Sequence, residues 1–353
     1  MAAENIPSED DIRAAIAANP KARPRDLADQ LGIAEAALVA ADLSNPATRI
    51  EAAPERLMPM ICGLGEVMAL TRNESAVHEK IGVYDNFHPG AHAAMILTAE
   101  IDLRIFPNHW QHAFAVEKEV GGQLRRSLQV FDAAGDAVHK VILRDGSDMD
   151  GWARLTGDLA CADPQPLDLA VRAAPEQPKA DPDKAEALRR EWARMTDTHQ
   201  FMRLVSKLKM NRLGAYRIAG GSMARLLQPA ALNTALETLS QTGTGVMIFV
   251  GNKGCIQIHS GPVDRLKPMG PWQNVMDPGF NLHLRRDHVA EVWLVEKPTK
   301  RGPALSIEAF DDMGRLILQM FGLRKEKGPD HAAAFARMAE DLPRAETLAG
   351  VAS

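Results

Sequence analysis

Much of this chain is written twice, and that constrains its fold more than any motif does. EVMALTRNESAVHEKIGVYDNF, from residue 66, lines up with GVMIFVGNKGCIQIHSGPVDRL, from residue 245. Asn73 then falls on Asn252, an offset of 252 − 73 = 179 residues. The same offset sets IDLRIF (101–106) on FNLHLR (280–285) and AFAVEK (113–118) on VWLVEK (292–297). It also sets Phe131-Asp132 on Phe310-Asp311, with Gly135 on Gly314. A constant offset across roughly 70 residues, with no gap, predicts a duplicated domain.

Both copies follow one plan. Each half opens on helical sequence, IRAAIAANPKARPRDLADQLGIAEAALVAADL in the first and KAEALRREWARMTDTHQFMRLVSKLKMNRLGAYRIAG in the second, with apolar residues at i, i+3 and i+4. Short alternating runs follow, among them AAMILTAEIDLRIF, HAFAVEK and SLQVFDAAGDAVHKVIL, whose period of two predicts an antiparallel sheet. DAAGDA and DDMGRL predict hairpin turns in equivalent places. CADPQPLDLAVRAAPEQPKADPDK is rich in proline, alanine and charge and marks a linker. The expected fold is therefore α+β: two tandem, similar halves, each a large antiparallel sheet with flanking helices. Their bounds are 1–160 and 183–353, with the linker at 161–182.

Composition removes several functional classes. Hydrophobic residues make up 46% of the 353, enough for a substantial core. A net charge of −5 argues against nucleic-acid binding driven by bulk charge. No apolar run approaches the roughly 20 residues that span a bilayer, and MAAENIPSEDDIRAAIAANP lacks the regions of a signal peptide. Cys62, Cys161 and Cys255 are far apart and form no CxxC pair, which suits a reducing cytosol and leaves no cysteine zinc site or covalent haem attachment. GLGEVM lacks the third glycine of a dinucleotide fingerprint and GTGVMIFVGNKG leads into a strand. With no phosphate loop or nucleophile elbow either, no nucleotide, flavin or zinc site is expected.

Most of the eleven histidines read as structural. His109 and His112 lie three apart without nearby carboxylate or thiolate partners, His88 and His92 flank a Pro-Gly turn, and His78 falls in a strand. His199 differs. Leu188, Trp192, Met195, His199 and Met202 recur at spacings of three and four, so one continuous helix would set His199 on an apolar stripe. Alternatively the helix restarts after Thr196-Asp197-Thr198, leaving His199 in the first turn, where the helix dipole favours the neutral ring that binds metal. Aligning the two helical segments through Leu27 and Leu204 puts Ala22 opposite His199, so this histidine occurs in one copy only. Lys207, Lys209, Arg212 and Arg217 follow it. A neutral imidazole, apolar surface and cations in reach are what a haem requires: a ligand for iron, cover for the macrocycle and charges for the propionates.

Those residues also carry a family likeness. MTDTHQFMRLVSKLKMNR, RNESAVHEKIG, IDLRIFPNHWQHAFAVEK and VEKPT resemble the cytoplasmic haem-binding proteins of bacterial haem uptake, the HemS/ChuS/PhuS/HmuS group, also labelled haemin-degrading factors. The resemblance covers nearly the whole chain and implies a non-covalent, b-type haem held in a cleft on the C-terminal half. His199 matches the family's axial iron ligand and Arg104 an arginine over the distal face. Arg212 and Lys297 match basic residues near the propionates, and His78 a histidine implicated as a second ligand in some members. QMFGLR carries Phe321 where relatives have tyrosine, so a ring remains to pack on haem but its hydroxyl is lost; Arg324 fits the pattern.

The resemblance leaves two functions open. As a carrier, the protein would take haem from an inner-membrane importer and pass it to a separate haem oxygenase. As a haem oxygenase-like enzyme, it would use His199 and Arg104 as catalytic residues and draw electrons from an external donor, since no flavin or nicotinamide motif is visible. Haem binding and trafficking in the cytoplasm, by a monomer or weak dimer, is the expectation. Arg104 and His283 occupy equivalent places in the repeat, so this strand position has diverged, as it would if Arg104 faces haem.

Overall fold

The computed structural model of the chain describes residues 7–42, 46–162, 167–324 and 331–346. Its contacts divide it into two units. The first comprises residues 1–72, 79–173 and 251–257, and the second residues 73–78, 174–250 and 258–353. This differs from the linear division of the sequence, because each unit includes a short segment from the other half. The two exchanged segments correspond under the 179-residue offset, which makes the exchange reciprocal.

The first unit opens with α1 (Glu9–Ala18), α2 (Pro24–Leu31) and α3 (Glu35–Ala41), which close on a small core around Ile12, Leu27 and Leu38. Ser8 and Asp11 form a capping box at the start of α1, and Gly32 ends α2 in the left-handed region. Then come β1 (Ala47–Ile50), α4 (Pro54–Cys62), β2 (Glu66–Arg72), β3 (Ala76–Val83, whose residues 76–78 belong to the second unit), β4 (Phe87–His88), β5 (Ala94–Leu97) and β6 (Asp102–Ile105). β7 (His112–Val120), β8 (Gln123–Phe131), β9 (Ala137–Leu143) and α5 (Met149–Asp158) complete the run. Strands β1, β7, β8, β9 and β2 lie side by side in that order, all antiparallel, and β4, β5 and β6 form a second antiparallel set. Period-two alternation gives the larger set two apolar faces. One packs on α4, α5 and the β5–β6 hairpin; the other, with Phe114, Val116 and Phe131, packs on α3.

Glu35, at the start of α3, is buried between Lys140 Nζ at 2.5 Å and the Arg72 guanidinium. Burial pushes its carboxyl up, but Lys140 and Arg72 outweigh it and hold it at about 2.

The second unit repeats this plan. It contains α6 (Ala185–Ala193), α7 (Gln200–Lys207), α8 (Arg212–Ala219), β10 (Ala224–Leu227), α9 (Ala231–Thr242), β11 (Val246–Gly251) and β12 (Cys255–Gly261), residues 251–257 excepted. β13 (Leu266–Met269), β14 (Trp272–Asp277), β15 (Phe280–Arg285), β16 (Glu291–Lys297), β17 (Ala304–Phe310), β18 (Leu316–Gly322) and α10 (His331–Glu340) follow. The strand order is β10, β16, β17, β18, β11, with β13, β14 and β15 as the smaller set. One face of the larger set packs on α9 and α10 through Ile248, Val292, Ile307 and Met320. The other, with Trp293, Val295 and Phe310, packs on α6, α7 and α8.

Both predicted hairpin turns form. Asp132 Oδ1 accepts the backbone N–H groups of Ala134 and Asp136, and Asp311 Oδ1 those of Met313 and Arg315. A register shift at Val130/Phe131 recurs at Ala309/Phe310, so even the irregularity is duplicated.

Residues 163–166 of the expected linker lie outside the described residues. The rest is fastened at both ends. Ala170 donates to the Ala133 carbonyl at 2.8 Å and Arg172 pairs with Asp136. Further on, Lys179 N–H donates to Asn211 Oδ1 at 2.9 Å and Asn211 N–H to Lys179 O at 3.0 Å. Gly214 permits this approach, since a Cβ there would lie 2.0 Å from the Lys179 oxygen.

Candidate functional site

The helical stripe that begins with Leu188 and Trp192 does not continue through His199. α6 stops after Ala193, Met195 turns inward, and α7 restarts at Gln200 with His199 as its N-cap residue. Of the two readings of this segment, the restart is the one that forms. The His199 side chain is 91% exposed, and Met202, one turn on, is also exposed. Thr196 N–H donates to Gln200 Oε1 at 2.9 Å, and Thr196 O accepts from Lys300 N–H at 3.0 Å. Asp197 Oδ1 accepts the His199 backbone N–H at 2.8 Å and lies 2.6 Å from ring Nδ1. These two bonds hold the Asp197 carboxyl below the usual carboxylate range.

Helix α8 carries the basic residues inward. Arg212 Nη1 lies 2.8 Å from Glu308 Oε2, and its Nη2 is 3.5 Å from the Met202 sulfur, which ties α8 to α7. Tyr216 OH donates to Glu308 Oε2 at 2.9 Å, while Lys297 Nζ reaches Glu308 Oε1 at 2.7 Å and Tyr216 OH at 2.9 Å. Ser306 Oγ donates to the same carboxylate at 2.9 Å. Lys297 also sits over the Phe201 ring, 4.9 Å from its centre. Burial pushes the Lys297 ammonium down to about 8, against the pull of Glu308. Burial also opposes the Glu308 carboxylate, but Lys297 and Arg212 outweigh it and hold it well below the usual range.

Strand register then places an apolar surface beside this network. Ser306 is opposite Phe321, Glu308 opposite Gln319, and on the next strand Met247 and Phe249 lie opposite Phe321 and Gln319. These side chains share the sheet face covered by α6–α8 at its β10–β16–β17 end. Over β18 and β11 it is only half covered, since Met247, Phe249, Gln319 and Phe321 are all partly exposed. Phe249 and Phe321 meet edge to face, 5.3 Å between centres. Arg324 is exposed just beyond and donates to the Pro303 carbonyl, beside the loop that carries Lys300.

The sequence-derived candidates therefore separate. The second unit places His199 at the start of α7, Arg212 on α8, and Phe321 and Arg324 on and just past β18. Lys297 belongs there too, but as a buried, neutralised cation and not as a free charge for an anion. His78 is fully buried in β3 against the Phe280 ring at 5.0 Å, so from this position it presents no nitrogen to a ligand. Arg104 lies on β6 of the first unit, partly exposed, and pairs with Asp102 two residues earlier on the same strand face. Sequence reasoning missed Asp197, Glu308, Tyr216, Met247, Phe249 and Gln319. Only Asp197 left a signal, its place two residues before the histidine. Glu308, Met247, Phe249 and Gln319 depend on strand register and Tyr216 on helix packing, neither of which local sequence specifies.

The model of the haemin-degrading HemS.ChuX domain matches twice, over residues 32–159 and 209–342. His199 precedes the second match, as the aligned Ala22 precedes the first. The hemin transport protein HemS of Yersinia enterocolitica is 38% identical over 315 residues, covering 88% of this chain and 90% of that protein. The structure of holo-PhuS, a heme-binding protein from Pseudomonas aeruginosa, superposes with a TM-score of 0.89 at 39% identity, over 96% of this chain and all of that one. That of ChuS, a heme degrading enzyme of Escherichia coli O157:H7, gives 0.88 at 33% identity, over 95% of this chain and all of that one.

Proposed function

The chain belongs to the haemin-degrading HemS.ChuX domain family, and on that premise we propose that it binds haem and sequesters or carries it in bacterial haem uptake and iron acquisition. It acts in the cytoplasm, taking haem from an inner-membrane importer and yielding it to a haem oxygenase. No helix of the described residues is long and apolar enough to cross a membrane.

The observation that carries this reading is His199. Its ring stands exposed at a helix start, with Nδ1 occupied by Asp197 and Nε2 left for iron. The donor set around it suits a b-type haem. Phe321, Phe249 and Met247 offer apolar cover for a macrocycle, while Arg212 and Arg324 are cations for its carboxylates. Lys297 supports Arg212 by sharing Glu308 with it. Arg104 matches the family's distal arginine, and a guanidinium in that role would orient water or a small ligand. The bound haem supplies the iron; these residues hold and orient it. His199→Ala tests the assignment. It should weaken haem binding and change the axial-ligand spectrum, and a variant with wild-type affinity and spectrum would remove His199 from the site.

A second reading, that degradation is the main role, is favoured by the family's description and by the solved ChuS. Holoprotein supplied with a reductase and catalase distinguishes the two. Loss of the Soret band with bile-pigment products and released iron means an enzyme; persistence of the band means a carrier. Catalase is needed because free peroxide destroys haem without help from a protein.

A further inference from the structure

A histidine that ligates iron through Nε2 must keep its ring hydrogen on Nδ1, and which nitrogen holds that hydrogen is set by the partner of the other. Asp197 supplies such a partner. Its Oδ1 lies 2.6 Å from Nδ1 and accepts the backbone N–H of the same residue at 2.8 Å, so ring and backbone are held by one atom. An ionised carboxylate can only accept, so Nδ1 is the donor and, in the neutral ring, Nε2 carries the lone pair. The turn carrying Asp197 is itself fixed, by the bonds of Thr196 to Gln200 and Lys300.

The sequence adds an independent observation. The alignment that sets Ala22 opposite His199 sets Pro20 opposite Asp197, so carboxylate and imidazole are missing together from the first half.

We propose that Asp197 is a positioning residue for the iron ligand: it fixes the tautomer and orientation of His199 and, by polarising the ring, strengthens Nε2 as a donor and favours ferric over ferrous haem. The inference rests on the haem reading of His199, and its test has one arm that does not. In the apoprotein, nitrogen chemical shifts of the His199 ring report the tautomer directly. The wild type should hold the Nδ1–H form, and Asp197→Ala should shift toward the Nε2–H form that an exposed imidazole prefers in water. An Nε2–H tautomer in the wild type would overturn the proposal.

In the haem-loaded protein, Asp197→Asn and Asp197→Ala should bind haem roughly tenfold to a hundredfold more weakly. Their ferrous iron–histidine stretch should move to lower frequency and the midpoint potential should become more positive. Wild-type values for both stretch and potential in the two variants would overturn it equally. Should the apoprotein show the Nδ1–H form while His199→Ala leaves the haem spectrum unchanged, the ligand reading fails and takes the haem half of this inference with it. The Asp197–His199 pairing would then stand alone as a feature of the fold.

Discussion

Removing the Glu308 carboxylate would leave two cations, Lys297 and Arg212, facing each other across a buried space with only Tyr216 and Ser306 to share. Breaking a buried ion network by deleting one member costs about 3–5 kcal/mol, because the remaining charges lose their partner but stay out of water. Glu308→Gln should therefore lower the stability of the second unit by about that amount, read as a fall in the urea midpoint with an unchanged slope. A midpoint within error of the wild type would show that the network adds nothing. Arg104 belongs to a different class. Its ion pair with Asp102 is partly solvated, worth about 0.2–1 kcal/mol at most, so Arg104→Ala should fold normally. If its role is distal, the variant should bind azide and carbon monoxide differently on haem. His283→Ala, at the equivalent repeat position, should not, since that ring is 2.7 Å from Asn274 Oδ1 on the adjacent strand. Equal responses from the two variants would reduce Arg104 to a sheet residue.

At the scale of elements, the duplication preserves turns and alters helices. Asn252 Oδ1 accepts the N–H groups of Gly254 and Cys255 while its amide donates to the carbonyls of Arg72 and Val138. Asn73 does the same with Ser75, Ala76 and Ile317, the last being the repeat counterpart of Val138. Both asparagines were visible in the sequence as an aligned pair, because an Asx turn is local chemistry. That each fastens a segment exchanged between the units was not visible. The charges under the N-terminal helices diverged instead, with Glu35 serving Lys140 and Arg72 in one unit and Glu308 serving Lys297 and Arg212 in the other. Glu35 gives a pH prediction. Its carboxyl is held at about 2 against an ordinary 4.5, so its stabilisation is complete above pH 4.5 and is lost as pH falls toward 2. Glu35→Gln should be markedly less stable than wild type at pH 7, and the gap should close across that acid window. A gap that stays constant with pH would mean that Glu35 is not ionised in the folded protein.

The whole molecule is a pair of like units, and the site proposed above belongs to the second of them. The first unit has Ala22 for His199 and Pro20 for Asp197. It also has Gln129 at the place of Glu308, where its amide bonds Ser127, the counterpart of Ser306, at 3.1 Å without any charge. Lys118, the counterpart of Lys297, is partly exposed on β7, where Lys297 is buried. The expected stoichiometry is thus one tight haem per chain despite two copies of the domain. Spectroscopic titration should break at one equivalent; two equivalent tight sites would contradict the reading of the copies as functionally unlike.

The amino-acid sequence by itself determined the duplication, the helix-then-meander plan, the equivalent hairpin turns at Asp132 and Asp311, and the singularity of His199. Each depends on residues close together in the chain, where periodicity and turn chemistry act directly. The tertiary structure decided what those residues meet. It broke the stripe before His199 and left the ring in solvent beside Asp197. It enclosed Lys297 and His78, which composition alone would have allowed at the surface, and set Phe249 beside Phe321 across two paired strands. Strand register and helix packing fix these outcomes, and both depend on which distant apolar faces bury one another, so no short stretch of sequence holds them.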